Sequence, residues 1–279
     1  MQTLQAIITG AIQGLSEFLP VSSSAHIVFS NTLYGLITGH EISSTASCEE
    51  IFFDIIVHLG TLIAVLIYFF KDLKLIIKDS FIAVKNKKQN ENSKIMCYIL
   101  LTALITSIMG LLLQRSVEKL IVNPKIICIL LSITGILLLY SEKIYKGNKN
   151  IDLKSSVLMA IAQGLAIFPG FSRSGFTIAT ALTQGIDRVQ AARFSFLMSI
   201  PIILLASMLY PVFELDISEI ANFNFKAITA GFIVSFVVGY LCIKYFMQLL
   251  KKITLKFFGY YCLVVSILMF ALFQVCYRI

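Results

Sequence analysis

The sequence predicts an all-α polytopic membrane protein with an inverted-topology repeat, each half a re-entrant helix pair plus three transmembrane helices. Three observations carry this. The 279 residues are 58% hydrophobic and only 14% charged, with a mean hydropathy of +0.87. Apolar runs recur at lengths close to the ~20 residues that span a bilayer. Two short apolar segments per half are broken by proline at matching places. Strand-like alternation is missing, which argues against a transmembrane barrel. The net charge of +8 comes from lysines clustered between apolar runs, so it encodes membrane orientation and not a nucleic-acid surface. The six cysteines show no paired spacing, and neither a disulfide framework nor a zinc site is expected. No basic residue precedes Lys71, so the positive n-region of a signal peptide is missing.

Taken in order, residues 4–19 form a short apolar helix ended by Pro20, and a second short segment runs from about Ser22 to Leu36. Neither is long enough to span, so the pair enters and leaves on one side. The loop Thr38–Glu50 has three glutamates and no Lys or Arg. Residues 51–70 are a full span. The stretch Lys71–Lys94 reads as a charged cytoplasmic loop carrying Lys71, Lys74, Lys78, Lys85, Lys87, Lys88 and Lys94. Spans follow at about 95–113 and 124–141, then the lysine-rich loop Glu142–Lys154. Short helices at 155–168 and 172–185 flank the Pro169-Gly170 break. Spans close the chain at about 190–210, 225–247 and 257–277. The loop Pro211–Lys226 carries Glu214, Asp216 and Glu219 and reads as external. Lys244–Lys256, with four lysines, reads as internal.

An odd number of spans after each pair forces the halves, approximately 1–145 and 150–279 of one integral membrane domain, into opposite orientations. Sequence symmetry agrees. Gln13-Gly14-Leu15-Ser16-Glu17-Phe18-Leu19-Pro20-Val21-Ser22-Ser23 resembles Gln163-Gly164-Leu165-Ala166-Ile167-Phe168-Pro169-Gly170-Phe171-Ser172 with one gap near the proline, which sets Ser23 against Ser172. The two broken pairs are expected to meet near the midplane.

The residues with chemistry sit at these breaks. Phe168 to Thr177 holds an arginine, three hydroxyls, two glycines and a proline inside apolar sequence. A broken helix, a guanidinium and a fresh helix start with free N–H groups make a receptor for a phosphate-like anion. Such polarity at membrane depth is expensive unless it lines a site. Arg173 is the anion binder. Glu17 lies in an apolar helix and needs a metal, a partner or a proton. Arg173 is the partner that a purely structural reading would give it. Gln13 is four residues before Glu17 and shares its helix face. Ser22, Ser23, Ser24 and His26 follow Pro20. Ser23 is the stronger nucleophile candidate, His26 a proton carrier, and the other hydroxyls serve as helix caps or substrate contacts. Asp54 and His58 are four apart on the first full span, positioned to orient each other, line the cavity, or pack between helices.

With these residues in view, the paired motifs are recognisable. Gln13 through His26 and Pro169-Gly170-Phe171-Ser172-Arg173-Ser174-Gly175-Phe176-Thr177 resemble the two signatures of the undecaprenyl-diphosphate phosphatase family, also called bacitracin-resistance proteins. Phe53 to Thr61, Phe194-Ser195-Phe196-Leu197 and Ile243-Lys244-Tyr245-Phe246 look like further blocks of it. The family's acidic motif is Glu-or-Gln, three residues, Glu. Here Gln13 opens it, so Glu17 alone supplies a carboxylate. Ala25 stands where the family often has glycine.

The resemblance implies an enzyme of the bacterial cell (inner) membrane, often a homodimer. Its activity is removal of the terminal phosphate of the lipid carrier's diphosphate, which recycles undecaprenyl phosphate for peptidoglycan synthesis and gives bacitracin resistance. It also implies a divalent metal, Mg²⁺ or Ca²⁺, and a site facing the outer side. On that basis Arg173 clamps the diphosphate with Gly170 and the helix start. Ser172, Ser174 and Thr177, with Ser22 and Ser24, add hydrogen bonds. Glu17 holds the metal or acts as acid/base, assisted by the Gln13 amide oxygen. Ser23 or an activated water attacks, and His26 moves the proton as acid or base. The rival class is a transporter flipping an isoprenoid phosphate, because broken helices at the midplane are also a transporter's architecture. A flippase needs the clamp but no proton shuttle.

Overall fold

The computed structural model describes residues 2–38, 47–121, 124–214 and 223–276. It is all helix, with no strand among the described residues. The chain forms α1 (Thr3–Ser16), α2 (Ser23–Thr38), α3 (Cys48–Tyr68), α4 (Phe70–Asn86), α5 (Glu91–Ile121), α6 (Pro124–Ile144), α7 (Leu153–Leu165), α8 (Arg173–Thr183), α9 (Arg188–Glu214), α10 (Phe225–Leu249) and α11 (Lys256–Cys276).

Among the described residues, six helices are long and apolar enough to cross a membrane: α3, α5, α6, α9, α10 and α11. They coincide with the six expected spans. The other apolar helices are shorter. The longest of them, α2, has 16 residues and reaches about 24 Å at 1.5 Å per residue, less than the ~30 Å hydrocarbon core. Pro20 and Pro169-Gly170 account for this, since they stop α1 and α7 from continuing into α2 and α8. The acidic loop positions 39–46 and 215–222, on which two orientation expectations rest, lie outside the described residues.

The one element that departs from expectation is Lys71–Lys94. Instead of a loop it holds all but the first residue of α4, and then the first turn of α5. Lysine has good helix propensity, and here the lysines alternate with Leu73, Ile76 and Ala83 at helical spacing. Phe69 (φ −94°, ψ 17°) is the single residue between α3 and α4. Lys87, left-handed at φ 53°, closes α4. A box between Asn90 and Ser93 opens α5, with Ser93 N–H on Asn90 Oδ1 at 2.7 Å and Asn90 N–H on Ser93 Oγ at 2.9 Å.

Packing follows the distribution of small residues. α1 lies against α10 and α6 against α11. A Cβ added to Gly14 would stand 2.8 Å from the Ser235 carbonyl oxygen and 2.9 Å from the Gly239 nitrogen, so these two backbones meet with no room for a side chain, as small-residue helix contacts in membranes do. α10 also packs on α3, α5 on α7 and α9, α7 on α8, α3 on α9, and α6 on α8. At the centre Phe18, fully buried, meets Phe196 edge to face at 5.4 Å, immediately beside Glu17.

Candidate active site

Glu17 is the C-cap residue of α1, still right-handed at φ −62°, and its N–H bonds the Gln13 carbonyl at 3.0 Å. It is therefore held by the helix while its side chain leaves it. Beyond Pro20 the chain turns at Ser22, whose φ of 70° is left-handed for a non-glycine residue. That conformation costs roughly 1–2 kcal/mol. Its hydroxyl offsets part of the cost by capping α2, accepting the Ala25 N–H at 3.3 Å. The second break uses Gly170 at φ 105°, where an added Cβ would stand 2.6 Å from the Ile127 carbonyl oxygen, so only glycine fits. Ser172 then caps α8 by accepting the Gly175 N–H at 3.1 Å.

Two hydrogen bonds recur at the two breaks, the helix cap and a contact between hydroxyls. Ser22 Oγ lies 3.2 Å from Ser24 Oγ, and Ser172 Oγ lies 3.3 Å from Ser174 Oγ. The breaks also bond to each other. The Gly170 N–H donates to Ser24 Oγ at 3.2 Å, and the Ser174 hydroxyl donates to the Leu19 carbonyl at 3.0 Å. Ser22 and Ser172 thus play the same capping part at their breaks, 150 positions apart, the offset that also separates Gln13 from Gln163. Ser23 then stands where the second break has Arg173.

Those two residues converge on one carboxylate. Arg173 Nη2 donates to Glu17 Oε1. The Ser23 hydroxyl donates to Glu17 Oε2 at 3.1 Å, and Gln13 Nε2 donates to the same oxygen at 3.0 Å. His58 Nε2 sits 3.9 Å from it. The other His58 nitrogen, Nδ1, donates to the Asp54 carbonyl at 2.8 Å and faces the Asp54 carboxylate at 3.6 Å. Thus α1, α2, α3 and α8 each contribute, and the open choice over His58 resolves to a place in the cluster. Two atoms of the cluster stay unused although buried: Arg173 Nη1 and Gln13 Oε1 have no hydrogen-bond partner among the described residues. A buried donor and a buried acceptor left open at one site are costly unless a ligand takes them.

His26 is held at both nitrogens. Nδ1 donates to the Ser22 carbonyl at 2.8 Å, so in the neutral ring Nε2 is an acceptor and takes the Tyr261 hydroxyl at 2.8 Å. The rings stack with centroids 5.7 Å apart and planes within 7°. Thr177 is turned to the fold: its hydroxyl donates to the Arg173 carbonyl at 2.8 Å and lies 2.6 Å from Ser195 Oγ. Ser172 N–H is taken by Thr134 Oγ1 at 3.2 Å. Sequence reasoning did not place Tyr261, Thr134 or Ser195 at the site. Each is a common residue on another helix, and no local spacing signals it.

A divalent ion can be accommodated only with help from a substrate. Among the described residues no group of three or more His, Cys, Asp or Glu is placed to hold a metal. Glu17 and the open Gln13 Oε1 offer two oxygens on one helix face. This suits a hard cation such as Mg²⁺, which keeps few protein ligands and completes its shell with phosphate oxygens and water.

The fold and this cluster define the class: a polytopic helical membrane protein in which an arginine and a serine hydroxyl share one buried carboxylate. Comparison with known proteins gives the family. The model for the bacitracin resistance protein BacA matches residues 6–268. The chain is 37% identical to an undecaprenyl-diphosphatase of Methanosphaera stadtmanae, over 96% of this chain and 97% of the relative. It is 38% identical to one of Methanobrevibacter smithii, covering 97% of each, and 36% identical to one of Saccharophagus degradans, covering 98% of each. The chain belongs to the BacA family. Archaea hold members too, so a cell membrane, and not specifically a bacterial one, is the location the family implies.

Proposed function

We propose that this protein hydrolyses undecaprenyl diphosphate to undecaprenyl phosphate and inorganic phosphate, the reaction named for its relatives, and so recycles the lipid carrier and confers bacitracin resistance. The observation that carries the mechanism is the Glu17 carboxylate, held by Arg173 on one oxygen and receiving the Ser23 hydroxyl at 3.1 Å on the other.

Arg173 binds the terminal phosphate through its open Nη1, with the N-terminus of α8 behind it. Ser23 Oγ attacks the terminal phosphorus while its proton passes to Glu17 Oε2. The Oγ–P bond forms, the bridging P–O bond breaks, and undecaprenyl phosphate leaves. Water then attacks the phosphoserine. The Oγ–P bond breaks, Ser23 regains its proton from Glu17, and the water's proton goes to His26 Nε2, released from Tyr261. His58 keeps the Glu17 carboxylate oriented. A divalent ion on Glu17 and Gln13 Oε1 would neutralise charge on the diphosphate. Positioning and charge neutralisation supply most of the rate enhancement for phosphoryl transfer.

The inverted repeat also belongs to this reading. It is supported by helix pairs that recur in the two halves: α1 on α10 with α7 on α5, α3 on α10 with α9 on α5, and α1 on α2 with α7 on α8. The matched caps at the breaks support it as well. The site faces the outer side of the membrane and the protein works as a homodimer; cysteine labelling from each side and cross-linking in native membranes test these two points.

The test is phosphate release from a polyprenyl diphosphate by purified protein, with Mg²⁺ or Ca²⁺ against EDTA. Release that depends on metal and collapses in Arg173→Ala and Ser23→Ala is expected. Well-folded protein that releases nothing overturns the enzyme and leaves lipid flipping as the reading.

A further inference from the structure

Helix α4 has three faces, and only one is used by the fold. Ile76 and Ala83 are buried. On the same side Arg193 donates to Asp72 at 2.6 Å and the Asn92 amide to Asp79 at 2.6 Å. At 100° per residue, Phe70, Ile77, Phe81 and Val84 fall within about 60° of arc on a second face. All four are exposed, Phe81 at 74% and Val84 at 80%. Lys71, Lys74, Lys78 and Lys85 occupy the next ~60° of arc, directly beside that apolar stripe. They are exposed, and none is ion-paired among the described residues.

We propose that α4 lies in the membrane interface and binds anionic phospholipid headgroups through Lys71, Lys74, Lys78 and Lys85, with Phe70, Ile77, Phe81 and Val84 entering the acyl boundary. An apolar stripe edged by lysines is the pattern of an interfacial helix. The helix is also tethered there, starting one residue after the span α3. Water would leave these four large apolar side chains uncovered, together with Leu75 and Ile82 on the far side of the lysines. A second copy of the chain would set two lysine stripes against each other. Anionic headgroups match the lysines, while the acids of α4 point to the opposite, protein side. Four unpaired lysines at an anionic surface should each favour it by ~5-fold.

The protein contains no tryptophan, so Phe81→Trp in the full-length protein reports on this helix alone. After reconstitution into phosphatidylcholine vesicles containing phosphatidylglycerol, the introduced indole should emit as a lipid-buried fluorophore, be quenched by brominated acyl chains and be shielded from iodide. At equal mole fraction, brominated phosphatidylglycerol should quench more than brominated phosphatidylcholine. That preference should fall at least ~10-fold when K71Q/K74Q/K78Q/K85Q is added to the same background, with emission still blue-shifted; K74Q/K78Q is the milder variant and moves the same way. Iodide quenching without bromolipid quenching overturns the proposal, as does shielding from both, which would mean a protein partner. An unchanged lipid preference in the lysine variants also overturns it.

Discussion

Ser23 and Arg173 hold opposite oxygens of the same carboxylate: the Ser23 hydroxyl donates to Glu17 Oε2 at 3.1 Å and Arg173 Nη2 to Oε1. They come from different helices 150 residues apart, one just after each break. Glu17 thereby orients together the two side chains that the proposed mechanism uses as nucleophile and phosphate clamp. Ser23→Ala should lower kcat by at least ~10³-fold with substrate affinity little changed. Glu17→Gln, which keeps the shape but not the base, should lower it by ~10²–10⁴-fold. Rapid-quench phosphate release and a search for acid-stable phosphoserine in wild type check both. Full activity in Ser23→Ala would make water the nucleophile.

Arg173 is the residue least replaceable by its nearest chemical relative. Lysine keeps the charge but loses the planar fork that holds Glu17 with one nitrogen and leaves Nη1 open, the atom that binds phosphate in the proposed mechanism. Arg173→Lys should reduce kcat/KM by ~10²-fold. Arg173→Ala should do more, and should also destabilise the fold by about 3–5 kcal/mol because the buried Glu17 loses its guanidinium partner. Thermal denaturation in detergent separates the two effects. The double variant Arg173→Ala/Glu17→Gln should recover stability without recovering activity.

Gln13 gives its amide N–H₂ to Glu17 and leaves its oxygen open. Gln13→Glu would put two carboxylates one helical turn apart and raise the charge available to a cation. The Mg²⁺ or Ca²⁺ concentration for half-maximal activity should fall by ~10-fold, and ion binding measured by calorimetry in the absence of lipid should tighten with it. No change in either would place the ion on the diphosphate alone.

Tyr261 keeps the His26 ring stacked and bonded. Tyr261→Phe preserves the stack and removes the hydroxyl. Dephosphorylation of Ser23 should slow by ~10-fold, because the ring loses its fixed orientation, while melting temperature and the initial phosphoryl burst stay near wild type. A loss of burst amplitude instead would move His26 to the first step.

Away from the site, Glu142 is the buried knot of one end of the bundle. Its side chain is 1% exposed. It accepts Arg188 through both oxygens at 2.8 and 2.6 Å, and the Leu255 N–H at 2.9 Å, so it joins α6, α9 and the start of α11. Arg188 lies 3.9 Å over the Tyr145 ring. Arg188→Ala should cost about 3–5 kcal/mol. Glu142→Leu/Arg188→Leu should cost less than either single change, since it removes both charges together. Denaturation midpoints of the three variants decide this.

Most of the architecture is legible in the sequence because bilayer thickness imposes it: the lengths of the apolar runs mark the six spans, and prolines and glycines mark the breaks. Helix α4 is not, because clustered charge reads as a loop although lysines at helical spacing are good helix formers. Glu17, Ser23 and Arg173 can be named from sequence because polar groups in apolar surroundings are costly and need a use. The division of work among the serines cannot. Ser22 and Ser172 cap helices, Ser24 and Ser174 tie the breaks together, and Ser23 reaches Glu17. Side-chain direction at a break depends on backbone angles such as the φ of 70° at Ser22, which residue type alone does not set.

Hydropathy, segment length and helix breakers act locally along the chain. They are therefore enough to define a membrane-embedded helical protein whose polar residues gather at two broken helices. Helix packing had to supply the rest: which partners share the Glu17 carboxylate, that His58 joins it, and that Tyr261 holds His26. Those contacts link residues on different helices, up to 235 positions apart, and depend on how whole helices pack against one another.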